Sequence, residues 1–168
     1  MANPKIEDYT IDEDALVLQK QMQSVLDRVV GVYEAAGVPL PSRRYWTFGR
    51  PAEDCEQVVV SFLQGYLGSP GAEMSDPQRC SAPRSIVVNV SVTRDFPIGS
   101  NGKAVNVDRI MESGAWSAID VQVLLNSLNE FDQFQDFGPG YGVIATVEAA
   151  DASGGMLTVN MNLTMGLG

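Results

Sequence analysis

Residues 85–94 read Ser-Ile-Val-Val-Asn-Val-Ser-Val-Thr-Arg. Ile86, Val88, Val90 and Val92 leave an extended chain on one side, and Val87, Asn89, Ser91 and Thr93 on the other. Successive strand side chains alternate between faces, so this stretch has one dry face and one mostly polar face. An all-parallel sheet is covered on both sides and reads as a continuous apolar run. The alternation therefore marks a central strand of an antiparallel sheet, and the rest of the chain must cover its dry face or pair with its edges.

An amphipathic helix comes first. Leu18, Met22, Val25, Leu26, Val29 and Tyr33 recur at spacings of three and four, the stripe of a helix that packs on a sheet. Asp12, Glu13 and Asp14 suit its N-terminus. Gly37 is placed to close it after Ala36, and Pro39 and Pro41 bar its continuation. Residues 44–49 and 55–66 read as the first two strands, the second with Val58, Val60 and Phe62 on one face. Residues 67–84 show no period and read as a long surface or inter-subunit loop. Beyond the opening strand, Pro97, Gly99 and Gly102 break the chain, and Asn106 is an N-cap for a helix over 107–128. Its expected packing face is Ile110, Gly114, Ala118, Val121, Leu125 and Leu128, with Met111 and Ala115 beside it. Gly114 is read as permitting close approach to the sheet. Trp116 falls off that stripe and is read as a subunit contact or as the rim of the core. Residues 142–150 and 156–165 form two strands joined through Asp151-Ala-Ser-Gly-Gly155. The last alternates Leu157, Val159, Met161, Leu163 and Met165 against Thr158, Asn160, Asn162 and Thr164. The fold class that follows is α/β (α+β): an antiparallel or mixed sheet of about five strands flanked by two main helices. The expected order is helix-strand-strand-strand-helix-strand-strand. Residues 1–10 read as a mobile arm and 11–168 as one domain, with no internal repeat or dividing linker.

Composition narrows the function classes. At 168 residues the core needs no metal or disulfide staple. No apolar run approaches the ~20 residues that span a bilayer, and the polar, acidic N-terminus is no signal peptide; synthesis in a cytosol and no membrane partner are expected. Eleven Lys and Arg face 21 Asp and Glu, a formal net charge of −10. That balance repels phosphate and argues against tight nucleic-acid binding, while suiting a non-stick surface beside DNA. The chain has no histidine, which removes imidazole as base, shuttle or ligand. There is no Gly-x-Ser-x-Gly elbow and no phosphate loop ending in Gly-Lys-Ser/Thr. The Asp151–Gly155 stretch lacks the alternating oxygen ligands of a calcium loop, and pairs among so many acids read as a solvated face rather than a glycosidase site. No enzyme, catalytic residue, cofactor or metal site is expected.

Cys55 and Cys80 read either as two reduced thiols or as a disulfide. Asn89-Val-Ser91 and Asn162-Leu-Thr164 match the glycosylation sequon but read as polar strand positions. Residues 129–141 carry Phe131, Phe134, Phe137 and Tyr141 among Glu130, Asp132 and Asp136. Those rings either tuck beneath the second helix or dock on another subunit.

Several segments together resemble a known family. They are Trp46-Thr-Phe-Gly-Arg50, Asp54-Cys-Glu-Gln-Val-Val-Val60, Pro77-Gln-Arg-Cys80 with Pro83-Arg-Ser85, Gly142-Val-Ile-Ala-Thr-Val147, and Asn160-Met-Asn-Leu-Thr164. In their order and spacing they resemble the tail terminator proteins of long-tailed phages, in the branch found in actinobacterial siphophages. The resemblance implies an α/β fold and a six-fold ring that caps the tail tube. Such a ring stops addition of the major tail protein, meets the head-side connector or stopper, and lets genomic DNA pass through its lumen without specific binding. The implied location is the virion neck, after assembly in the host cytoplasm. A ring subunit must present two different patches that close by rotation. Met74, Arg79 and Arg84 in the long loop, Trp116, and Phe131, Phe134, Phe137 and Tyr141 are the candidate interface residues. The C-terminal strand is a candidate edge strand that extends a sheet between neighbours. The alternative within the structural class is another neck protein, a head–tail stopper or connector subunit; from another class come a small acidic enzyme and a monomeric binding module.

Overall fold

The computed structural model describes residues 16–52, 55–73, 84–99, 104–131 and 144–167. In chain order the elements are α1 (Val17–Ala36), β1 (Arg43–Phe48), β2 (Gln57–Ser69), β3 (Ala72–Glu73), β4 (Arg84–Asp95), α2 (Val107–Phe131), β5 (Ile144–Ser153) and β6 (Met156–Leu167). The sheet runs β1-β2-β4-β6-β5, with the short β3 paired to β2. β4 is its middle strand and pairs antiparallel with β2 and β6; β6, expected at an edge, is paired on both sides, with β4 and β5. β1 pairs parallel with β2, so the sheet is mixed and the class is α+β.

The alternation in β4 decides where the core lies. Ile86, Val88, Val90 and Val92 are at most 1% exposed. They meet Val58 and Val60 of β2, Val159, Met161, Leu163 and Met165 of β6, and Met22, Val25, Leu26, Val29 and Tyr33 of α1. Each such side chain contributes roughly 1.5–3 kcal/mol when fully removed from water. The α1 stripe is thus the one expected. Its helix ends at Gly37, whose φ of 66° lies in the left-handed region. At the start of α2, Asn106 Oδ1 accepts the Asp108 N–H at 2.8 Å, an N-cap bond. The acidic group Asp12, Glu13 and Asp14 lies outside the described residues.

Both hairpins depart from expectation. β2 continues to Ser69 and pairs Ser69 with Ala72 of β3, so part of the stretch read as loop is a hairpin. Its Pro70-Gly71 turn, with Gly71 at φ 77°, has the residues of a type II turn. A bulge between Phe62 and Gln64 bends β2, and the tip at Gly71 comes against the Ile144 side chain. At the other hairpin, Ser153 pairs with Met156, and Gly154 and Gly155 have φ of 58° and 82°. Two consecutive positive φ values make a type I′ turn, which carries the strand twist through two residues. Hence β5 runs on to Ser153, where a five-residue loop was expected.

The return from β1 to β2 is short. Parallel neighbours usually need a crossover of a dozen or more residues, but here only residues 49–56 connect them. Gly49, at φ 81°, turns the chain and donates its N–H to Phe62 O at 3.2 Å. The chain then passes back along the polar face. Ala52 O accepts from Gln57 Nε2, and Arg50 and Pro51 border a cleft with Ser61. Gln57, Val59 and Ser61, on the face away from the helices, are therefore buried.

Candidate functional site

Asp120 lies in the middle of α2 and is 1% exposed. Its Oδ2 accepts Arg94 Nε at 2.6 Å, and its Oδ1 accepts Arg94 Nη2 at 2.8 Å and the Tyr33 hydroxyl at 3.0 Å. Arg94 Nη2 also donates to Pro39 O at 3.0 Å, and its guanidinium lies 4.9 Å from the centre of the Trp116 ring. One carboxylate thus ties α2 to β4 and α1. Buried ions persist when their hydrogen-bonding positions are filled in this bidentate manner. Burial pushes the Tyr33 phenol well above its ordinary range, and the charge of Asp120 pushes it further. Burial works against the charge on Arg94, but the hydrogen bond and charge of Asp120 outweigh it and raise the pKa. With all three groups committed to one another, the trio is a structural lock rather than an acid–base pair.

The lock sets the rotation of α2, and this corrects the expected packing face. Asp120, Val123, Leu124 and Ser127 are buried, and Ser113, Trp116 and Ser117 are half-buried. Of the expected stripe, Val121 and Leu128 are half-buried, while Ile110, Gly114, Ala118 and Leu125 are exposed. A Cβ at Gly114 would meet nothing within 4 Å, so this glycine is not there for close approach to the sheet. The stripe exists, but it sits about a third of a turn round from the buried side at 3.6 residues per turn. Pairing Asp120 with Arg94 brought the less apolar side inward.

What faces outward is a candidate interaction surface. Val107, Ile110, Met111, Ile119 and Leu125 are each between 38% and 68% exposed, with exposed Gly114, Ala115 and Ala118 between them. A contiguous apolar patch on a water-facing helix marks a contact site more often than chance surface. A second patch is a groove of about 630 Å³ where α1 meets β1, lined by Leu16, Gln19, Lys20, Gln23, Arg28 and Trp46, among others. Trp46 Nε1 donates to Gln23 Oε1 at 3.1 Å. α1 covers β1 and β2, and α2 covers β5 and β6, so the two patches belong to different helices.

The residues singled out from sequence are placed as follows. Trp116 is half-buried, its ring 4.9 Å from the Arg94 guanidinium. Arg84 opens β4 and is exposed. Phe131 ends α2, its side chain outside what is described. Met74, Arg79, Phe134, Phe137, Tyr141 and Cys80 lie outside the described residues. Cys55 is half-buried and its Sγ accepts a hydrogen bond from Arg43 Nη1 at 2.8 Å; a bond to Cys80 falls outside the described residues. Sequence reasoning missed Arg94, Asp120 and Tyr33 as a unit. The signal was present: Arg94 continues the parity of the dry face of β4, and Asp120 interrupts a helix rich in apolar residues.

Among the described residues no group of three or more His, Cys, Asp or Glu is placed to hold a metal ion. No helix among them is long and apolar enough to cross a membrane. No family model matches the chain, and no curated protein matches it.

Proposed function

We infer that this chain is a structural subunit of the phage neck, a tail terminator. In this reading, copies close into a hexameric ring on the head-proximal end of the tail tube. The ring halts polymerisation of the major tail protein, joins the tail to the head connector or stopper, and leaves a lumen through which DNA slides. The observation that carries it is the outward apolar stripe of α2, a surface suited to a subunit contact. The groove between α1 and β1 supplies a dissimilar second patch, and a closed ring requires two that differ. The segment resemblance supports the same reading, and the net charge of −10 suits a passage that does not hold DNA.

The test mixes the purified full chain with isolated tail tubes and, separately, with DNA-filled heads, and images both by electron microscopy. Rings at tube ends are the expected result. Met111→Asp and Val107→Asp change exposed positions, so they should keep the circular dichroism of the parent and lose the rings. Attachment to heads alone would identify a stopper instead. Attachment to neither, or rings indifferent to both substitutions, overturns the assignment.

A further inference from the structure

The polar face of the sheet holds a second feature, independent of the α2 stripe. A cleft of about 400 Å³ opens there, floored by Ser61 of β2, Asn89 and Ser91 of β4, and Asn160 and Asn162 of β6, with Glu148 of β5 at one side and Arg50 and Pro51 at its border. Ser91 Oγ donates to Asn89 Oδ1 at 2.8 Å, Asn89 Nδ2 to Asn162 Oδ1 at 3.0 Å, and Asn162 Nδ2 to Glu148 Oε1 at 3.0 Å. The bonds run one way and end on a carboxylate, so each polarises the next. A carboxamide nitrogen carries two hydrogens, and this chain uses one on Asn89 and one on Asn162. Asn160, half-buried, sits between Ser91 and Glu148 in the ladder and lines the same cleft. Ser61 is 1% exposed, and its Oγ, bordering the cleft, has no hydrogen-bond partner among the described residues. A buried hydroxyl without a partner is uncommon in a folded protein and calls for an explanation.

We propose that this cleft binds an extended segment of a partner polypeptide through its main chain, with a cationic side chain of that segment set against Glu148. A carboxamide offers the same N–H and C=O as a peptide group, so it can pair with backbone without reading sequence. Asn89 and Ser91, and likewise Asn160 and Asn162, stand two residues apart on one face. That is a pitch of about 6.8 Å, the repeat at which an extended peptide presents groups to one side. A nucleic acid would meet one lining cation among the described residues, Arg50, beside Glu148 and a net charge of −10, too little to hold a phosphate backbone. The lone lining carboxylate among the described residues already accepts from Asn162 Nδ2 and leaves the charge of a divalent cation largely unbalanced.

The experiment follows the side-chain NH₂ resonances of isotopically labelled full-length protein by NMR. A capped Thr/Ser/Val peptide carrying one lysine is added to millimolar concentration, alongside its N-methylated counterpart and maltohexaose. The resonances of Asn89, Asn160 and Asn162 should shift with the first peptide and not with the N-methylated one. Ser61→Ala removes a group that has no partner among the described residues, so its urea midpoint should hold or rise while peptide affinity falls about tenfold, the worth of one good hydrogen bond. Asn160→Ala, at a half-buried position, should weaken the peptide similarly. Resonances unmoved by peptide, equal binding of the N-methylated form, shifts with maltohexaose alone, or a Ser61→Ala variant that binds normally would each overturn the proposal. None of these results depends on ring formation.

Discussion

Replacing Asp120 by alanine tests the lock most directly. The carboxylate accepts three hydrogen bonds, at 2.6, 2.8 and 3.0 Å. Without it Arg94, whose side chain is 12% exposed, keeps its charge and loses its counter-ion. Each bond to a charged group contributes about 1.5–3 kcal/mol, and breaking a buried pair from one side costs about 3–5 kcal/mol. Arg94 retains Pro39 O as an acceptor, which places the expected loss at the lower end, about 3–4 kcal/mol. Domains of this kind have about 5–15 kcal/mol in total. At a urea dependence of about 2 kcal/mol per molar, the unfolding midpoint should fall by about 1.5–2 M. Tryptophan fluorescence is a suitable probe, because Trp116 lies against the Arg94 guanidinium. Arg94→Met joined to Asp120→Leu removes both charges, and should recover about 2 kcal/mol relative to Asp120→Ala alone. A loss under about 1 kcal/mol in the single variant, or a double variant weaker than either single one, would refute the reasoning.

Three further outcomes are expected. The folded Tyr33 phenol titrates above its ordinary value, while the unfolded one ionises near pH 10. Its contribution is therefore complete below pH 10 and declines by about 1.4 kcal/mol per pH unit above it; urea midpoints between pH 9 and 11 should show a shallower decline for Tyr33→Phe than for the parent. Asn106→Ala removes the cap on α2 and should lower stability by about 1 kcal/mol in thermal unfolding. At the β5–β6 turn, Gly154→Asn should be neutral to about 0.5 kcal/mol, since asparagine accepts φ of 58°, whereas Gly155→Val at φ 82° should cost more than about 1 kcal/mol by the same denaturation assay.

Much of the fold was legible because periodicity reports burial. β4 and β6 alternate cleanly, and both their dry faces are in the core. The α1 stripe from Met22 to Tyr33 is buried at the positions its spacing implies. The rotation of α2 was not legible in the same way. An apolar count cannot see that Asp120 has a partner 26 residues away, and the pair outweighs the stripe. Nor does local pattern reveal that residues 50–52 pass over the polar face and bury Gln57 and Ser61. For the same reason the cleft beside them was invisible as a site: its Asn and Ser residues come from separate strands and meet only through sheet register.

The position of Asp120 gives α2 two competing ways to seat itself during collapse. Turned by about a third of a revolution, the helix would hide Ile110 and Leu125 and gain oil-like contact at once. It would also strand a carboxylate on the outside and leave Arg94 facing hydrocarbon. The ion pair is thus a selector between two seatings, and its benefit appears as uniqueness as much as strength. A variant lacking Arg94 should lose that choice and populate a mixture, in part of which the outward apolar stripe is tucked away.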